Sequence, residues 1–133
     1  MRVSSKFWGW LPEHLYVDGR NITIGVVDSG IDPDDHLAGR LTYVGETRPL
    51  RATGHGVKVA TLIAGNCQHG GLGQGVLPEA SVLDQHYISG SILDMCRDTV
   101  TNVGPNGVAG YIQNNSWSIP DKCSVAATYG EIE

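Results

Sequence analysis

The stretch of sequence that decides the fold is Ile22-Thr23-Ile24-Gly25-Val26-Val27, followed directly by Asp28-Ser29-Gly30. The first six residues are mostly apolar and β-branched, and turn-forming residues bound them on both sides, which is typical of a buried strand. A continuous apolar run without alternating polar residues needs cover on both faces of its sheet. This stretch therefore predicts the first strand of an α/β fold.

Further strands and helices alternate along the chain beyond this strand. The predicted strands are Leu41–Val44, Ala80–Ile88 and Val108–Asn114, and the predicted helices are His55–Ala64, a helix capped by Ser91 and a last helix capped by Ser124. The Ser91 helix carries a predicted core stripe of Ile92, Met95, Cys96, Thr99, Val100 and Val103. This order favours a mostly parallel sheet with helices on both faces. Residues 1–20 are predicted to be an irregular lead-in, and residues 21–133 the domain proper.

The composition narrows the classes of protein and of partner. The chain has 133 residues, the size of one domain, with 18 glycines and only 17% charged residues, which suits tight loops between buried strands. Its net charge of −5, without a basic cluster, disfavours nucleic acid as a partner. No apolar run approaches the roughly 20 residues that span a bilayer, so no membrane association is expected.

The cysteines and the N-terminus bear on the cellular compartment. The three cysteines, Cys67, Cys96 and Cys123, cannot all pair within one chain. The first residues lack the apolar core of roughly 7–15 residues that a signal peptide carries. Reduced thiols in a cytoplasmic protein are therefore the expectation.

Two polar residues stand where open α/β sheets carry their chemistry. Asp28 directly follows the first strand, and catalytic groups gather at the carboxyl ends of strands. His55 lies between two glycines at the start of an apolar helix, where small neighbours leave the imidazole accessible and the helix N-terminus favours the neutral ring that a general base needs. Taken singly, Asp28 is more often a turn cap, and His55 is as often a surface histidine.

Four blocks occur in an order and spacing that resemble the subtilisin-like serine proteases, the subtilases. The blocks are Ile24–Ile31 around the aspartate, Gly54–Gly65 around the histidine, Gly75–Leu83 and Gln113–Ser118. Each block alone is a weak signal, whereas the ordered set over residues 20–133 is specific. The resemblance implies a subtilisin-like α/β fold, endopeptidase activity on a peptide or protein substrate, and no cofactor.

The resemblance also implies a role for each matching residue. His55 would take the proton of a serine hydroxyl and pass it to the leaving amine, while Asp28 would hold the tautomer of His55. An extended peptide would be laid along the strand of the last block. The implied substrate-binding residues are Ser116, Trp117 and Ser118 on that strand, with Ser89 and Gly90 on the opposite wall of the groove.

The chain departs from the family pattern at the nucleophile. Its 133 residues contain no Gly-Thr-Ser motif, and Ser124 lies too close to the substrate strand to replace it. Two classes of function follow: a truncated endopeptidase, either a fragment of a longer protein or a split enzyme completed by a second chain that supplies the serine half, or a non-catalytic peptide-binding module. A nucleotide-binding domain ranks last because it rests on fold analogy alone. The helix from Ser124 stops at Glu133, which predicts an incomplete folding unit with an exposed sheet edge.

Clusters of metal-ligand residue types are weak signals here. Four carboxylates could collect a hard cation, but Pro33 and their irregular spacing favour a solvated turn. They are Asp28, Asp32, Asp34 and Asp35. Cys67 and His69 are too close together for a standard zinc half-site. We therefore expect neither a metal nor a cofactor.

Overall fold

The computed structural model describes residues 18–32, 36–45, 54–66, 74–87 and 90–117. Four strands and two helices lie in these ranges: β1 Thr23–Asp28, β2 Leu41–Tyr43, α1 His55–Ala64, β3 Ser81–His86, α2 Ile92–Thr101 and β4 Ile112–Asn115. Their order along the chain is the predicted one. Most of the predicted lead-in and the helix predicted from Ser124 lie outside the described residues.

The four strands form one parallel sheet in the order β2-β3-β1-β4. β1 lies between β3 and β4, and all six of its residues are buried. A strand of apolar and β-branched residues suits this central position, because both of its faces are covered and both of its edges are paired. The mostly parallel α/β fold predicted from the alternation of strands and helices is thus confirmed.

The two helices cover opposite faces of β1. On one face, Ile24 and Val26 belong to a buried cluster with Ala60 and Ala64 of α1. On the other face, Gly25 is so close to α2 that an added Cβ would lie 2.6 Å from the Thr99 hydroxyl oxygen. Because successive side chains of a strand point to opposite faces, this alternation places α1 and α2 on the two sides of the sheet.

The predicted core stripe on α2 is wrong in part. Met95 and Thr99 are buried, but Cys96 is exposed, and Val100 and Val103 are 57% and 52% exposed. The contact between α2 and the sheet is narrow because the helix packs closely over Gly25. Only Met95 and Thr99, which lie four positions apart on one line of the helix, then reach the strands. Cys96 lies to the side of that line.

The fourth strand is also shorter than predicted. β4 begins at Ile112, whereas residues 108–110 run back against the end of α2. There Val103 and Ala109 form an isolated antiparallel bridge, and the amide of Gly110 donates to the carbonyl of Thr99 at 3.1 Å. These bonds satisfy the backbone at the helix end, so those residues are unavailable to the parallel ladder.

The guanidinium of Arg40 joins three segments of the chain. Arg40 donates to the carbonyl oxygens of Ala64 at 2.7 Å, Ala80 at 2.9 Å and His36 at 2.6 Å. Ala64 is the last residue of α1, and Ala80 directly precedes β3. Arg40 therefore fixes where the histidine-bearing helix ends relative to the sheet.

Replacing Arg40 by alanine is expected to lower the free energy of unfolding by about 3 kcal/mol, because the carbonyls of Ala64 and Ala80 lose their donor and that of His36 keeps only the amide of Asn66. Urea denaturation measures the change. Arg20→Ala is the matched control, since the Arg20 side chain is 75% exposed and its ion pair with Asp18 should contribute less than about 1 kcal/mol. Equal losses in the two variants would contradict the role given to Arg40.

Candidate active site

Asp28 ends the central strand, and its carboxylate is held from two directions. The side chain is only 3% exposed. The backbone amide of Ser29 donates to Asp28 Oδ1 at 2.7 Å. Nδ1 of His55 lies 2.8 Å from Oδ1 and 3.0 Å from Oδ2 of the same carboxylate. The sheet thus brings together the two residues that the sequence pattern singled out, although 27 positions separate them.

The chemistry of this pair follows from which ring nitrogen is engaged. A neutral ring that donates its Nδ1 hydrogen to Asp28 keeps the lone pair on Nε2, where a proton can be accepted. The His55 side chain is 55% exposed, so the ring is open to a reactant while its partner is buried. A buried orienting carboxylate, an accessible imidazole and a fixed tautomer are the parts of a general base.

The close approach of α1 to the end of β1 depends on Gly56. An added Cβ would overlap the carbonyl oxygen of Gly30 and lie 3.3 Å from Cβ of Asp28. The amide of Gly56 donates to the hydroxyl of Ser29 at 3.3 Å. From the sequence, Gly56 was expected to leave the imidazole of His55 accessible. The structure shows instead that the missing side chain of Gly56 lets α1 contact the turn that carries Asp28.

Gly54 serves a different purpose, at the N-cap of α1. Its φ is 79°, in the left-handed region, and no side chain caps the helix. An added Cβ would meet nothing within 4 Å. Glycine is favoured there for its backbone conformation, which residues with a side chain adopt at a cost.

The implied substrate strand emerges at the same edge of the sheet. β4 pairs with β1 up to Val27 and Asn115, so Ser116 and Trp117 follow beside the end of β1. The Ser116 hydroxyl donates to Oδ1 of Asn114 at 2.7 Å. Gly90 lies exposed just before the N-cap of α2. Ser89 and Ser118 lie outside the described residues, so the groove walls stay a prediction.

Sequence reasoning missed an aromatic row that passes beside Asp28. The rings of His86 and Tyr87 stack with centroids 5.0 Å apart, and Tyr87 stacks on Trp117 at 6.3 Å. The amide of Tyr87 donates to the backbone carbonyl of Asp28 at 3.0 Å, which fixes the row beside the site. Consecutive aromatic residues at the end of a predicted strand were the signal that could have revealed it.

The buried acid Asp84 was missed as well. It lies inside β3, is 4% exposed, and accepts a hydrogen bond on Oδ2 from the amide of Ile31 at 3.0 Å. Burial, together with the nearby charges of Asp28 and Asp32, raises the pKa of Asp84 to about 6. An acidic residue within an apolar strand pattern was the available signal.

The described part of the chain holds neither a metal-ligand cluster nor a membrane-spanning helix. Within the described ranges, no three His, Cys, Asp or Glu side chains come close enough to hold a metal ion. Asp34, Asp35, Cys67 and His69, which the sequence interpretation considered, lie outside those ranges. No helix of the described part of the chain has the length and apolar character needed to cross a bilayer.

Comparison with known proteins agrees with this arrangement. Residues 19–130 match the Subtilase family. The minor extracellular protease Epr of Bacillus subtilis (strain 168) is 32% identical over 140 residues, which covers 92% of this chain and 19% of that protein. The chain thus spans about a fifth of the length of this relative. No solved structure matches the chain. The match covers well over half of the chain, and the matching residues form a parallel sheet that brings Asp28 to His55. The chain therefore belongs to the subtilase family.

Proposed function

We propose that this chain supplies the base half of a subtilisin-like serine endopeptidase. The observation that carries the proposal is the contact of His55 Nδ1 with both carboxylate oxygens of Asp28, at 2.8 and 3.0 Å. His55 is the general base, and Asp28 orients its ring and stabilises the charged form that arises during the reaction. The nucleophile comes from a complementary serine-bearing segment, because the 133 residues contain no Gly-Thr-Ser motif.

The proposed reaction passes one proton through His55. As the serine oxygen attacks the scissile carbonyl carbon, its hydrogen moves to Nε2, and the carbonyl electrons move to the oxygen of the tetrahedral intermediate. The imidazolium then donates that hydrogen to the leaving amine, which yields an acyl-enzyme. Water repeats the sequence and releases the acid. Asp28 remains ionised throughout, and its buried position keeps its attraction to the imidazolium from being screened by water.

The proposed substrate is a peptide in extended conformation. Within the described sheet β4 is an edge strand, and Ser116 and Trp117 continue from it past the end of β1. A peptide backbone laid beside these residues gains main-chain hydrogen bonds, as in other cases of strand addition. The row of His86, Tyr87 and Trp117 offers apolar contact to a side chain of that peptide.

The surface around α2 and β4 suits contact with the serine-bearing half of the domain, whether the same longer protein or a second chain supplies that half. Five large apolar residues on this surface are about half exposed or more. Single exposed apolar residues are normal on a protein surface, whereas a group of them marks an interface. They are Leu93, Val100, Val103, Tyr111 and Ile112. The outer edge of β4 also offers backbone groups to a further strand. We therefore propose that the active species contains the serine segment packed on this side.

The edge strand β4 and the aromatic row beside it also suit a second candidate, a peptide-binding module without catalysis. Such a module would use the same edge of the sheet and the same aromatic row. It differs in one respect that can be measured: peptide would bind and remain intact, whichever serine segment is present.

A reconstitution experiment separates the two candidates. The 133-residue chain is assayed for peptide hydrolysis and for labelling by a serine-directed phosphonate, alone and with a separately produced subtilase segment that carries a Gly-Thr-Ser motif. We expect activity only in the mixture, with labelling on the added segment. His55→Gln should reduce the rate at least a thousandfold, whereas Arg20→Ala, an exposed change just before β1, should leave it unaltered.

The other outcomes are equally informative. Hydrolysis by the chain alone, with label on Ser124, would overturn the proposed division into halves. Peptide binding without hydrolysis in the mixture would support the binding module. Failure of the two segments to associate would contradict the interface proposed on α2 and β4.

We also propose a cytoplasmic location for the chain. Cys96 is a free and exposed thiol, and such thiols persist in reducing compartments. The Epr relative is by its name an extracellular protease. Fractionation of cells that make the chain, with antibody detection, tests the location, and recovery from the culture medium would contradict it.

A further inference from the structure

Asp84 occupies an unusual place for a carboxylate, in the middle of a buried strand and on the same face as Asp28. In the ladder between β1 and β3, Asp84 pairs with Val26 and His86 pairs with Asp28. Asp84 and Asp28 are therefore diagonal neighbours on one face, roughly 8 Å apart from the spacing of strands and residues. The chemistry proposed above makes no use of this acid.

Among the described residues, the one hydrogen bond of the Asp84 side chain acts on the turn after Asp28. Its Oδ2 accepts the amide hydrogen of Ile31 at 3.0 Å, across 53 positions of sequence. Ile31 is 1% exposed, so this amide has no access to solvent as an alternative acceptor. The bond therefore attaches the far end of the turn Asp28–Ile31 to β3, while the near end is bonded through the amide of Ser29.

The other carboxyl oxygen shows which protonation state suits this place. Oδ1 of Asp84 is buried and has no hydrogen-bond partner among the described residues. An unpaired oxygen costs less on a neutral carboxyl than on a charged one, since a buried charge needs donors on both oxygens. The proton then resides on Oδ1, and Oδ2 remains free to accept from Ile31.

Among the described residues, no lysine or arginine acts on Asp84 to favour its ionised form. The titratable side chains around Asp84 are Asp28 at the end of β1, Asp32 in the following turn, Tyr43 on β2 and His86 on β3. His55 on α1 lies beyond Asp28. Two of these groups are carboxylates, and both oppose a further negative charge.

We propose that Asp84 is a positioning residue for the Asp28–His55 pair: in its protonated form it holds the Ile31 amide and thereby fixes the turn that carries Asp28. Ionisation of Asp84 places a second negative charge on the same buried face and alters that turn. The inference deepens the proposed function, because it adds a pH-dependent support to the base. It rests on the geometry of the pair and needs no serine.

Backbone NMR on the ¹⁵N-labelled 133-residue chain tests the coupling. The amides of Ser29 and Ile31 are followed from pH 4.5 to 7.5 in the wild type, Asp84→Asn and Asp98→Asn. The amide of Ser29 donates to Asp28 Oδ1, whereas that of Ile31 donates to Asp84, so a structural role confined to Ile31 would not move the Ser29 signal. We expect both amides to show a step near pH 6 that is lost in Asp84→Asn and kept in Asp98→Asn.

The outcome that overturns the coupling is a Ser29 titration curve that is the same in the wild type and in Asp84→Asn. Any step from the rings of His55 or His86 is common to both proteins and cannot mimic the expected difference. None of these signals requires proteolysis, so the proposed function can fail while this test succeeds, and the reverse also holds.

Amide exchange separates the acceptor from the charge. At pH 5, Asp84→Ala should speed exchange of the Ile31 amide about tenfold, because a buried donor loses its partner, whereas Asp84→Asn keeps an acceptor oxygen and should stay within about threefold of the wild type. Equal exchange in Asp84→Ala and the wild type would overturn the positioning role. If Asp84→Ala does not fold, Asp84→Asn decides alone: exchange at Ile31 within threefold supports the role, and a tenfold increase contradicts it.

Discussion

Replacing Gly56 by alanine is expected to separate His55 from Asp28 and to lower the free energy of unfolding by about 3 kcal/mol. The new Cβ would overlap the backbone oxygen of Gly30 and lie 3.1 Å from its carbonyl carbon. Backbone atoms cannot rotate aside as a flexible side chain can, so the start of α1 must move away from the end of β1. Urea denaturation gives the stability, and ¹⁵N NMR of the His55 ring reports whether Nδ1 still bonds to Asp28.

Gly54→Ala is the matched control on the other side of His55. Gly54 has a φ of 79° but open space at its Cβ position, so alanine there brings only backbone strain, about 1–2 kcal/mol. The contact between His55 and Asp28 should persist in this variant. If Gly56→Ala also kept that contact and lost no more stability than Gly54→Ala, the close approach of α1 would not be what positions the pair.

Asp84→Asn is expected to become more stable than the wild type as the pH rises, by about 3 kcal/mol at pH 7.5. Burial raises the pKa of Asp84 from 3.8 to about 6 in the folded chain. Between these values the unfolded chain releases a proton that the folded chain keeps, so rising pH favours unfolding. The wild type therefore loses unfolding free energy as the pH rises from about 3.8 to about 6. The loss is about 3 kcal/mol, because the pKa differs by about two units and each unit corresponds to about 1.36 kcal/mol. Asparagine undergoes no such loss.

The measurement is urea denaturation of both proteins at pH 4, 5, 6 and 7.5. The difference in unfolding free energy should be small at pH 4 and level off above pH 6. Asp98→Asn removes an equally charged but far more accessible group, with its side chain 39% exposed, and should show no comparable trend. A difference between Asp84→Asn and the wild type that does not change with pH would contradict the buried, protonated state of Asp84.

Local sequence was sufficient for much of the fold. β1, α1 and the order of the described elements follow from apolar runs, glycines and capping residues that act within a few positions of one another. The capping box of Ser91 and Asp94 is such a case, since both of its hydrogen bonds lie within one helical turn. The family blocks around Asp28 and His55 likewise singled out both residues and predicted that they act together.

Contacts between distant segments decided the rest of the structure. Cys96, Val100 and Val103 match a helical stripe as well as Met95 does, and only the close approach of α2 over Gly25 selects which of them are buried. The amide of Gly110 bonds to the end of α2, so β4 begins further along the chain than predicted. A local sequence pattern does not show this competition for hydrogen bonds.

The candidate site shows the same division. The sequence by itself determined that a carboxylate ends the central strand and that an imidazole begins the next helix. The tertiary structure alone decided that Gly56 must lack a side chain, that His86, Tyr87 and Trp117 form one row, and that Asp84 bonds to the turn after Asp28. Secondary structure forms from neighbours in sequence, whereas packing distances and the burial of a charge depend on atoms that meet only when the sheet and its helices assemble.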